Sequence, residues 1–126
     1  MPYGGGDGID ITLPAAADLS SHQYKLMTVD ANGRGTICTA YTVMPIGILQ
    51  NKPAAADVPA RIRVAGISKY LAGAAANEGA FIASNAQGYG TATTLDTAHY
   101  VGIVLHAPGG SADIQDLLVM PGRYAG

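Results

Sequence analysis

Apolar and polar residues alternate along this chain in short bursts, and few bursts outlast six residues. Ile9, Ile11 and Leu13 are spaced by Asp10 and Thr12, the period of an extended segment with one apolar face, and Pro14 ends the run. Strand patterns follow over 24–29 and 35–40, joined by Asp30-Ala31-Asn32-Gly33, where Asn-Gly accepts a turn at little steric expense. Further short strands are predicted over 46–49, 61–65, 67–71, 81–83, 90–94, 100–105 and 116–120. Gly66 permits a bend between two of them, and 72–78 is the best helix candidate, held to one or two turns by Gly73 and Gly79. The expected fold is mainly β, a small barrel or sandwich of short strands with one short helix.

The pattern divides the chain into an extended N-terminal arm, residues 1–20, and a single β domain, residues 21–126. Gly4, Gly5, Gly6 and Gly8 make the start of the arm flexible. Inside the domain, residues 27–67 return as residues 82–122 at a constant, ungapped offset. Gly33-Arg34-Gly35-Thr36 matches Gly88-Tyr89-Gly90-Thr91, Thr39 and Thr42 match Thr94 and Thr97, and Ile46-Gly47-Ile48-Leu49 matches Val101-Gly102-Ile103-Val104. Pro53 and Val64 match Pro108 and Val119. Each pseudo-repeat would supply a hairpin, a glycine-bearing strand, a proline-marked loop and a further strand, with Gly47 and Gly102 where strands pass closely.

Composition narrows the function classes. Only 13% of the 126 residues are charged, and the net charge is −2. A surface so poor in charge suits a protein largely covered by partners. Seven scattered Lys and Arg form no basic stripe, which argues against nucleic acid. No apolar run reaches membrane-spanning length, and no signal-peptide pattern opens the chain. Trp is absent, which disfavours a carbohydrate-binding face.

The sequence offers no catalytic, cofactor or metal constellation. His22, His99 and His106 have no ligand partner at metal spacing, although His99 and His106 flank one predicted strand. Cys38 sits mid-strand and reads as a small core residue. Asp7/Asp10 and Asp113/Asp116 fit turn and edge chemistry. Gly5-Gly6-Asp7-Gly8-Ile9-Asp10 matches the start of a calcium-binding nonapeptide, but a single copy cannot share ions between stacked turns. The chain reads as no enzyme.

Pro45-Ile46-Gly47-Ile48-Leu49-Gln50-Asn51-Lys52-Pro53, then a spacer of small residues and Arg61-Ile62-Arg63-Val64-Ala65-Gly66, resembles the capsid cement, or head decoration, proteins of tailed bacteriophages. Gly79-Ala80-Phe81-Ile82, Ala86-Gln87-Gly88 and Val101-Gly102-Ile103-Val104 resemble that family's second half. The resemblance implies a structural virion protein, made in the host cytoplasm, that binds the exterior of the capsid and stabilises it. It implies the major capsid protein as partner, self-association with a homotrimer favoured although dimeric and monomeric members are known, and no cofactor, nucleic acid or membrane. Alternatives are another phage component, such as a tail or neck β domain, or a non-enzymatic ligand-binding β domain. Within this reading the arm residues Tyr3, Ile9, Ile11 and Leu13 are the expected contacts with capsid or neighbour. Alternatively, the arm is the first strand of the barrel itself.

Overall fold

Among the described residues the short bursts of alternation become nine strands, all paired antiparallel. The computed structural model describes residues 8–74, 76–93, 98–106 and 114–123. The strands are β1 (Gly8–Pro14), β2 (Leu26–Val29), β3 (Gly35–Ile37), β4 (Gly47–Leu49), β5 (Pro59–Leu71), β6 (Phe81–Ser84), β7 (Gly90–Ala92), β8 (His99–His106) and β9 (Ile114–Arg123). One sheet runs β3-β2-β4-β5-β9-β8-β6-β7, and β1 adds to β5.

The sheet is written twice. Met27↔Ile37, Thr28↔Thr36 and Val29↔Gly35 pair β2 with β3, and Ile82↔Ala92, Ala83↔Thr91 and Ser84↔Gly90 pair β6 with β7, each residue 55 positions on. The same offset relates Leu26↔Ile48 to Phe81↔Ile103, and Ile48↔Arg63 to Ile103↔Leu118. Turn chemistry recurs as well. Asp30 Oδ1 accepts the N–H groups of Asn32 and Arg34, as Asn85 Oδ1 accepts those of Gln87 and Tyr89. Gly33 and Gly88 take φ of +76° and +80° in those turns, a region an L side chain rarely enters.

β5 belongs to both halves. Its residues 59–66 are the last strand of the N-terminal half, and its residues 67–71 are the first strand of the C-terminal half. Leu13↔Ala60 and Ile11↔Ile62 in the first half correspond to Tyr70↔Gln115 and Ser68↔Leu117 in the second. The expected bend at Gly66 is therefore a point inside one 13-residue strand, where φ is +97°. Each half curls back on itself. Beyond β1, Ala15 bridges Gly35 of β3, and beyond β5, Ala72 bridges Gly90 of β7, both in parallel. The result is a curled sheet of half-barrel form.

Residues 8–20 of the expected arm run against this sheet. β1 lies along β5, the N–H groups of Ala15, Ala16 and Leu19 donate to Val58, Gly35 and Pro53, and Ala15 and Leu19 are buried. The helix expected over 72–78 does not form among the described residues. Ala72 is taken by its bridge, and the N–H of Gly73 donates to the carbonyl of Gly90 at 2.7 Å. A β-carbon on Gly73 would meet Asn85, Thr91 and Tyr89, so the segment lies against the β6–β7 turn with no room for a helical side chain.

Each half has its own core. Met27, Leu49 and Ile62 fill the first with Ala15 and Leu19, and their counterparts Ile82, Val104 and Leu117 fill the second with Tyr70 and Val101. Neighbours Leu26 and Ile48 face the second core and join the two. Burial of each such side chain stabilises by roughly 1.5–3 kcal/mol. Gly47 and Gly102 are required by close approach, since a β-carbon on either would fall on the carbonyl oxygen of Arg63 or of Leu118, itself 55 residues on.

Candidate functional site

The described groups with chemical potential are bound into the fold or isolated. Burial raises the Cys38 thiol above its ordinary range, and its S–H lies 3.5 Å from the carbonyls of Ala40 and Val43. His99 and His106 are the first and last residues of β8, about 23 Å apart at strand rise, too far to share a ligand. Burial, reinforced by Lys25, lowers the pKa of His22. Among the described residues no group of three His, Cys, Asp or Glu is placed to hold a metal. Asp10, from the nonapeptide-like run, accepts Arg63 at 2.8 Å and Arg61 at 3.4 Å. Asp7 and Asp113 lie outside the described residues.

A pocket of about 160 Å³ opens where β5 passes between the halves, beside Tyr24, Gln50, Arg63, Ser68, Lys69 and Asp116. Two of its donors, Arg63 and Gln50, are engaged internally. Arg63 holds Asp10 and the carbonyl of Ile67, and Gln50 Nε2 donates to Ser68 Oγ at 2.8 Å and to the carbonyl of Ile48. These bonds tie β1 and β4 to the middle of β5, on both sides of Gly66, so the pocket is a seam of the fold.

Exposed apolar side chains are more informative. On β1, Ile9 is 63% and Ile11 38% exposed, whereas Leu13 packs partly against the first core. Tyr3 lies outside the described residues. A second group was not expected from the sequence. Tyr41, Val43 and Met44, in the β3–β4 connection, are 43%, 39% and 40% exposed. Their backbone is held. Val43 N–H donates to Ala40, Thr28 Oγ1 to the carbonyl of Met44 at 2.9 Å, and His99 N–H to the carbonyl of Tyr41 at 2.8 Å. The sequence signal is an uncharged stretch from Gly35 to Asn51, between Arg34 and Lys52. Strand alternation hides its exposed members among buried ones.

What such a site-poor, twice-written sheet is for follows from its relatives. Residues 4–120 match the family model of the phage cement protein. This chain belongs to the phage cement protein family. The first half of the cement chain includes the Pro45–Gly66 pattern, and its second half repeats the same register. Among solved structures it is similar to the N base of the head fibre protein gp8.5 of bacteriophage phi29, with a TM-score of 0.67 at 12% identity, over 89% of this chain and 93% of that one. That likeness shows the fold. No curated protein matches the cement chain in sequence. A capsid structural protein accounts for a molecule whose distinctive surface features are ordered apolar side chains.

Proposed function

We propose that this cement protein binds the outer surface of a phage head, with the major capsid protein as its partner, and stabilises the shell without catalysis. The family match over residues 4–120 carries this reading. The low charge and the apolar exposure of Ile9 and Ile11 support it. A protein repeated over a lattice needs only modest contacts per copy, because neighbouring contacts multiply their effect. Tyr3, Ile9, Ile11 and Leu13 are assigned to contact with the capsid or a neighbouring copy, with Ile9 and Ile11 the most exposed described members. The protein acts as a homotrimer on the virion exterior after synthesis in the host cytoplasm.

The test is decoration. Purified protein is added to expanded heads that lack it, and bound copies and the temperature of head disruption are measured. Saturable binding with a raised disruption temperature is expected, and no binding at micromolar protein overturns the reading. Sedimentation equilibrium tests the trimer. The likeness to the phi29 head fibre base favours a second reading, a base on the head surface that carries a further appendage, for which decorated heads would show added density beyond the mass of this chain.

A further inference from the structure

Because the fold is written twice, each half shows what the architecture itself demands of the other. An exposed apolar residue that the fold required would be apolar in both halves. Val29 is exposed, and its counterpart is the buried Ser84. Val43 is 39% exposed, and its counterpart Ala98 is fully buried. Tyr41 and Met44 correspond in sequence to Asp96 and His99. Of the exposed large apolar side chains among the described residues, only Ile114 and Met120 lie in the C-terminal half. Among the described residues, most of the exposed apolar surface thus lies in the N-terminal half.

We propose that the loop bearing Tyr41, Val43 and Met44 docks on the head surface, against an uncharged apolar patch of the capsid protein. This rests on the cement reading given above. The loop carries no charge, so docking buries no unpaired ion. Its bonds to Thr28 and to His99 fix its backbone in advance, so little ordering is required on contact. Three side chains, each about two fifths exposed, fall well short of the roughly 800 Å² per partner of a stable pairwise interface. A contact of that size does not hold two free copies together, but it serves a protein also held by Ile9 and Ile11 and repeated over a lattice.

The test uses expanded heads lacking the protein and three forms of the full chain. These are the wild type, a double variant Tyr41→Ser with Met44→Ser, and a control with Ile114→Ser and Met120→Ser. Both pairs are exposed, and an unchanged denaturation midpoint together with an unreactive Cys38 thiol reports intact folding. If the double variant fails that check, Met44→Lys alone replaces it. The loop variant is expected to bind at least tenfold more weakly, and the control within twofold of wild type. Equal binding by loop variant and wild type overturns the docking assignment while leaving the cement reading in place. Equal weakening of loop variant and control also overturns it. A loop variant that sediments as a smaller species, yet binds heads like wild type, makes the loop a contact between copies and overturns the assignment. Failure of the wild type itself to bind removes the cement reading and this assignment together.

Discussion

Where the N-terminal half pairs Asp10 with Arg63, the C-terminal half pairs Ile67 with Leu118 at the same register position. The first pair is joined by charge and the second is apolar, yet the strands keep the same alignment. Side chains on that face are therefore free to change so long as backbone approach and core volume are kept. The turns differ in the same way. The Gly88 turn packs on the other half, with its carbonyl accepting the N–H of Leu26 and Tyr89 lying 4.8 Å from the Lys25 ammonium. A β-carbon on Gly33 would meet nothing within 4 Å, so the matching turn stands open. Backbone geometry is what the halves share, and surface is where they diverge.

The largest test of that distinction is at the shared glycines. Gly47→Ala and Gly102→Ala each place a β-carbon on the facing carbonyl, so each is expected to cost more than about 3 kcal/mol, seen as a lowered urea midpoint or loss of folding. The two losses should agree within about 1 kcal/mol, and tolerance of one alone would break the equivalence of the halves.

Alkaline pH should separate the cores. Burial pushes the Tyr70 hydroxyl up to about 12, whereas its counterpart Leu13 does not titrate. The folded state holds this proton more tightly than the unfolded state, whose tyrosine titrates near 10. Stability from this group is full below pH 10 and falls as pH rises toward 12, by on the order of 2–3 kcal/mol. Tyr70→Phe should flatten that fall in denaturation midpoints measured between pH 9 and 12, and an unchanged slope would assign it elsewhere.

Smaller still is the ion pair. Asp10→Asn removes the carboxylate that Arg63 and Arg61 share. About 1 kcal/mol is expected, with faster amide exchange along β1 and residues 59–66 and none at residues 67–71. Exchange rising equally on both stretches would show the halves opening as one unit. Smallest is Arg34→Ala, which loses an exposed pair with Asp57 and should stay within about 0.5 kcal/mol. Tyr89→Ala at the matching position should cost about 1 kcal/mol, because that ring lies against Lys25.

The strands and their repeat were legible because both write themselves locally. Alternation marks a strand, Asn32-Gly33 marks a turn, and the offset linking Gly47 with Gly102 in sequence also links them in register. The helix over 72–78 was misread because small residues suit a helix by propensity, while the bridge from Ala72 to Gly90 is a tertiary fact. The place of residues 8–14 was open for the same reason, since one apolar face fits an arm or a strand alike. The loop at Tyr41–Met44 was passed over because exposure is decided by what the rest of the chain covers. Nothing in Val43 itself distinguishes it from buried Val104.

The strand common to both halves has a mechanical consequence. If the two halves are pulled apart, tension entering one half leaves through the other along β5. That strand is gripped laterally by β1, β4 and β9 over its length. Its ladder bonds lie across the direction of pull, so they must shear together and cannot unzip one at a time. The molecule should therefore stretch stiffly end to end and peel readily only from the flanks, at β3 and β7.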